Sequence, residues 1–140
     1  MVGPDERIEP GAGDPPAPDL EYSVGQANRM LPALTQVLRT LLEELGQATD
    51  PDVLGRLRAV EGHNGGGPAA AAVLRAGDRV AREMKFLERN GIVLRDAAAG
   101  LVDFPATRQG RAIYLCWRLG EAEVGYWHAR DQGYVNRQPL

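Results

Sequence analysis

The sequence predicts an α+β domain, an N-terminal helical hairpin with coiled-coil-like packing followed by a small antiparallel β-sheet. Three observations carry this. Apolar residues recur at spacings of three and four over residues 31–45 and again over 70–87, the period of one helix face. After Gly91 the period changes to two, that of half-buried strands. The opening stretch MVGPDERIEPGAGDPPAPDL is so rich in Pro, Gly and acids that it cannot build a core. Residues 1–20 are therefore read as a disordered acidic tail and 21–140 as a single domain, with helices over about 24–90, strands over about 92–128 and a C-terminal arm over 129–140.

The first helix starts near Val24, because Ser23 and Gln26 have the spacing of a capping box, each side chain serving the other's backbone N–H. Pro32 clashes with the carbonyl four residues back in a regular helix, so a kink or break is expected at Leu31. Beyond it Leu31, Leu34, Leu38, Leu41 and Leu45 form a seam, and Gly46 closes the helix. Asp50-Pro51 opens a short helix through Val60, and the glycines of HNGGGP connect it to the next. Pro68 begins the longest amphipathic run, with Ala70, Val73, Gly77, Val80, Met84 and Leu87 on one face and Asn90-Gly91 as its C-terminal cap. Gly77 allows close helix approach, and matching seams imply an antiparallel pair.

Four strands are expected, near Ile92–Leu94, Leu101–Phe104, Ala112–Leu119 and Glu123–His128. A two-residue turn at Gly120-Glu121 pairs Trp117 with Val124 and Ile113 with His128. That register puts Ile113, Leu115, Trp117, Leu119, Val124, Tyr126 and His128 on a helix-facing side. Tyr114, Cys116, Arg118, Glu123 and Trp127 then lie on the other, where Tyr114 and Trp127 leave an apolar area for the arm or a second subunit to cover.

The 140-residue chain has net charge −3. Through Glu21 it carries six acids against Arg7 alone, minus five, so residues 22–140 hold plus two and are nearly neutral. A folding unit of this size needs no disulfide, and the single cysteine, Cys116, cannot form an internal one. With no charged-then-apolar leader and no long apolar run, a cytoplasmic protein without a membrane span is expected. Fifteen of sixteen basic residues are Arg. Arg75, Arg79, Arg82 and Arg89 form a stripe on the second helix, but Asp78, Glu83 and Glu88 interrupt it, so nucleic acid is not the expected partner.

Tyr22 to Leu140 resembles the DUF2203 proteins, a bacterial group, through its YSVGQANRMLP start and its GLVDFP, LCWRLGE and YWH segments near the end. The resemblance implies a fold for these residues and little chemistry. Polar groups dense enough for a site occur only in that last stretch: Asp103, Glu121, His128, Asp131 and Arg137. His128 and Asp131, three apart after a strand, are the candidate metal ligands. Cys116 points away from His128 in the register above, and Ser23, the only serine, is used as a cap, which disfavours nucleophilic catalysis. Asp103, a carboxylate in an apolar strand, calls for a cation from Arg95, Arg111 or Arg137. The leading reading is a non-enzymatic interaction or adaptor protein, homodimeric and without cofactor. The alternative is a small-molecule or divalent-metal binding protein, or an enzyme, using the Asp/Glu/His/Arg cluster.

Overall fold

The structure, a computed structural model, describes residues 20–49, 51–52 and 67–140. Two helices, α1 (Val24–Thr49) and α2 (Pro68–Arg89), precede strands β1 (Val93–Asp96), β2 (Leu101–Arg108), β3 (Arg111–Arg118), β4 (Tyr126–Ala129) and β5 (Gln138–Pro139). The strands form one antiparallel sheet in sequence order, so the α+β class holds. The tail, the helix expected to run from Pro51 to Val60 and the glycine connection lie outside the described residues, apart from Leu20, Pro51, Asp52, Gly67 and Pro68.

The helix ends obey local chemistry. Ser23 Oγ accepts from the Gln26 N–H at 3.1 Å and Gln26 Oε1 from the Ser23 N–H at 2.9 Å, the capping box. At the far end of α2, Gly91 adopts φ 65°, the Ile92 N–H reaches the Leu87 carbonyl and the Gly91 N–H that of Glu88, a Schellman cap sealed by burial of Leu87 and Ile92. Tyr22, just before α1, donates its hydroxyl to the Asn90 carbonyl just after α2, and Glu44 pairs with Arg79. The helices are thus antiparallel.

Three helix expectations are corrected. α1 runs unbroken through Pro32 and past Gly46. Ala27, Leu31, Leu34 and Leu38 flank the proline and share one buried face. Keeping that face continuous buries several side chains at about 1.5–3 kcal/mol each, against about 3 kcal/mol for an interior proline. Leu45 is exposed, and Glu44 takes the inward position because Arg79 meets its carboxylate at 2.7 Å. On α2 the face turned inward carries Val80, Phe86 and Leu87, whereas Val73 and Met84 are exposed and a Cβ on Gly77 would meet nothing within 4 Å. Gly77 serves no close approach.

In the sheet, Gln109 and Gly110 both have positive φ, 52° and 78°, and join β2 to β3 by a two-residue turn of the type that matches strand twist. Val102, Phe104 and Ala106 of β2 and Ile113, Leu115 and Trp117 of β3 meet the helices in one core. Gly100, at φ 66°, lets Leu119 close over it; a Cβ there would lie 2.5 Å from Leu119 Cβ.

The β3–β4 register is the decisive correction. Ile113 pairs with Ala129, Tyr114 with His128 and Leu115 with Trp127, one residue off the expected alignment. The cause is the connection. Instead of turning in two residues, the chain swings out so that Trp117 Nε1 donates to the Glu121 carbonyl and the Val124 N–H donates to Asn28 Oδ1 on α1. A one-residue slip exchanges the faces of a whole strand. Trp127 therefore turns to the helix-side core, and His128 turns to the outer face. Beyond it the arm adds β5, a strand the periodicity does not announce.

Pro32 is exposed, so replacing it removes little packing while restoring a helical donor. Pro32→Ala is expected to raise the unfolding free energy by about 1–3 kcal/mol in urea denaturation. A loss of stability would show that the path of α1 over the sheet requires the proline.

Candidate metal centre

The outer face of the sheet is buried as well, and beside Pro105 and Tyr114 it buries a carboxylate, a thiol and an imidazole. Asp103 of β2, Cys116 of β3 and His128 of β4 are adjacent across three strands because β2 and β3 pair Asp103 with Cys116 while β3 and β4 pair Tyr114 with His128. Their exposures are 1 %, 0 % and 1 %. A carboxylate oxygen, the sulfur and an imidazole nitrogen all lie within 4.8 Å of one another.

Each group has defined partners. His128 Nδ1 faces the Ala129 carbonyl at 2.8 Å and Nε2 faces Asp103 Oδ2 at 3.0 Å, so both ring nitrogens meet acceptors. Arg95 Nε donates to the same Oδ2 at 2.7 Å. Arg95 sits at the irregularity between Leu94 and Asp96 in the β1–β2 register, a bulge that aims its side chain over Asp103. Asp103 Oδ1 is buried and has no hydrogen-bond partner. A buried acceptor left unmade costs about 1–3 kcal/mol, which makes this oxygen the feature of the face that packing alone does not account for.

A roof of guanidinium groups closes the outer face. Arg95 and Arg130 lie 4.8 and 4.3 Å from the Tyr114 ring centre, and Arg137 lies 3.9 Å from that of Tyr126 and 4.3 Å from that of Tyr134. Arg137 grips both oxygens of Glu121 at 3.1 and 2.7 Å. Burial pushes His128 towards its neutral form, but the hydrogen bonds with Asp103, Cys116 and the Ala129 carbonyl and the Asp103 charge outweigh it and raise the imidazole from 6.5 to about 10. Arg137 is raised above its ordinary value, first by its hydrogen bond with Glu121.

The five polar residues singled out in the sequence are divided by this arrangement. Asp103 and His128 meet, with Arg95 as the cation. Glu121 and Arg137 form a separate pair beside Cys116. Asp131 is exposed in the turn after β4 and is not among the three buried donors. The donors that could share an ion are therefore Asp103, Cys116 and His128, and Asp131 is not grouped with them. Cys116, set aside as facing away from His128, stands beside it, and the exposed aromatic area of Tyr114 and Trp127 does not exist, since Tyr114 is buried and Trp127 packs on the helix-side core. The same period-two pattern would have found Cys116 had the strand been shifted by one residue. Among the described residues, open clefts elsewhere include one of about 680 Å³ beside α2 near Val37 and Phe86 and one of about 470 Å³ between α1 and the β3–β4 connection, reaching Glu121. Both have mixed polar and apolar walls and neither includes the three donors.

Fold and centre define a two-layer α+β protein whose sheet has one apolar and one polar buried face, the latter carrying a carboxylate, a thiol and an imidazole. The family described as "Uncharacterized conserved protein (DUF2203)" matches residues 21–140, and the chain belongs to it. No curated protein and no solved structure matches the chain. Among the described residues no helix is long and apolar enough to cross a membrane.

A folded-state value above the unfolded one means that proton binding to His128 stabilises the fold fully below pH 6.5 and that this is lost as pH rises towards 10. In metal-free protein the unfolding free energy is expected to fall across that window, less so in His128→Gln, with an NMR titration midpoint for His128 near 10. A midpoint at or below the ordinary histidine value would contradict the geometry of the Asp103 pair.

Proposed function

We propose that this protein binds a thiophilic divalent metal ion of the zinc class through Asp103, Cys116 and His128, which leaves a fourth tetrahedral position open. The observation that carries this reading is the buried group of three donors within 4.8 Å of one another, whose carboxylate also has a second oxygen, Oδ1, buried without a partner. Carboxylate, thiolate and imidazole are the donor types zinc takes, and ligand atoms around a tetrahedral zinc stand about 3.3–3.6 Å apart for bonds of its usual length. The donors need close by only about 1 Å. His128 is already oriented as metal-binding histidines are, its Nδ1 fixed by a backbone carbonyl and its Nε2 aimed at the other donors.

The competing charge is the proton on Nε2, which a metal must displace. From about 10 to neutral pH that costs about 4 kcal/mol, against about 10–16 kcal/mol for structural zinc sites. The exchange is also close to charge-neutral. One divalent ion replaces the imidazolium proton and the thiol proton, so the buried charge that Arg95 balances does not change. Three protein ligands with an open position are the pattern of a catalytic ion, since structural sites are closed by a fourth protein ligand. The adaptor reading, which used a helical-hairpin face and the aromatic side of the sheet, keeps only the first of these, since Tyr114 is buried.

Titrating metal-free, reduced protein with Co²⁺ is expected to give one equivalent bound, with thiolate-to-metal charge-transfer absorption and tetrahedral visible bands. Cys116→Ser abolishes the charge-transfer band, His128→Ala abolishes tight binding, and Asp131→Asn leaves both in place. Binding that is indifferent to Cys116→Ser, or lost equally with Asp131→Asn, would remove this reading.

A further inference from the structure

Cys116 is fully buried, yet the segment that covers it is held by very little. The turn Tyr134–Asn136 contains no buried residue, and Val135 at its tip is 93 % exposed. Strand β5 is two residues long, pairs only Tyr126 with Pro139 and Trp127 with Gln138, and its proline has no N–H to give. One further backbone bond, from Leu140 to the Gly125 carbonyl, holds the end.

Arg130, at the root of the strap, donates to the Ile113 carbonyl and the Tyr114 hydroxyl; beyond it one side chain fastens the strap. Arg137 is 14 % exposed, donates to both Glu121 oxygens and to the Tyr134 hydroxyl, and lies flat against Tyr126, the residue paired with Cys116. The Cys116 side chain also contributes to raising Arg137. On the other flank Arg95 is anchored to β1 and to Asp103, inside the sheet. The two covers differ in kind: one belongs to the sheet, the other to a terminal segment without an apolar anchor, the sort of element that opens locally while the core stays folded.

We propose that residues 131–140, hinged at Arg130, are a gate over Cys116, latched by Arg137 on Glu121, and that its opening is the route by which the metal enters and leaves the Asp103–Cys116–His128 centre. The second half of this rests on the metal reading; the first does not. The latch ties the gate to the β3–β4 connection, which carries Glu121.

The test uses the full-length, reduced, metal-free protein and the rate at which Cys116 reacts with dithiobisnitrobenzoate under native conditions. Arg137→Ala and Glu121→Gln are each expected to raise this rate about ten- to a hundredfold, the scale of losing a charge-assisted double hydrogen bond. Removing a cation beside a thiol by itself slows attack, so an increase in Arg137→Ala reports access. Leu38→Ala, which weakens the core far from the strap, is the control. A rise in Leu38→Ala matching that in Arg137→Ala at equal loss of stability would mean that Cys116 is exposed only by global unfolding, which overturns the gate, as would an unchanged rate in both latch variants. In a parallel arm, Co²⁺ loading and chelator-driven release are both expected to quicken in Arg137→Ala. Faster thiol reaction in a protein that takes up no Co²⁺ keeps the gate and removes the metal reading, whereas Co²⁺ exchange indifferent to the latch overturns the gate as the metal's route.

Discussion

The Asp103 carboxylate is the constraint around which the outer half of the structure is arranged. One of its oxygens is shared between Arg95 at 2.7 Å and His128 at 3.0 Å, and the other has no partner. A charge taken out of water at 1 % exposure is tolerable only when it is paired and hydrogen-bonded. Removing one partner of such a pair costs about 3–5 kcal/mol, because the remaining charge stays buried. The β1 bulge aims Arg95 at this carboxylate, and the β4 register brings His128 to it.

Meeting that demand divides the sheet into two chemical faces. On the inner face alternate residues of β2 and β3 close an apolar core with α1 and α2, and this supplies the fold's driving force. On the outer face the intervening residues have no second layer of helices to meet. Tyr114 and Cys116 are shielded instead by arginine side chains, whose flat guanidinium groups stack on rings while their edges reach carboxylates. An arginine roof can be lifted in part without disturbing the core beneath, and a fully apolar one could not. This separates the stability of the domain, carried by the inner face, from access to the three donors on the outer one.

Much of this was legible in the sequence where local rules govern. The Ser23–Gln26 box, Pro68 at a helix start and the Asn90–Gly91 end each depend on a few neighbouring residues, and each occurs as read. Pro32 misled because tertiary burial of the leucines on both sides outweighs a local penalty. On α2 the inward face is rotated from the apolar stripe, since Arg79 reaches Glu44 while Val73 and Met84 meet no layer among the described residues. The costliest miss was a single residue of register. Gly120-Glu121 has the composition of a tight turn, but Asn28 of α1, nearly a hundred positions earlier, captures the Val124 N–H and lengthens the connection. No local pattern encodes that contact. Its consequence is the whole centre, because the same slip that hides Trp127 brings His128 beside Cys116.

The most direct measurement is X-ray absorption at the zinc edge of protein loaded with one equivalent of Zn²⁺. The account predicts a four-coordinate shell with one sulfur at about 2.3 Å, and nitrogen or oxygen neighbours including a single imidazole at about 2.0–2.2 Å. A six-coordinate shell of oxygen and nitrogen without sulfur would contradict it, for the metal would then lie away from Cys116, and the Asp103–His128–Cys116 group would be a purely structural knot in the sheet.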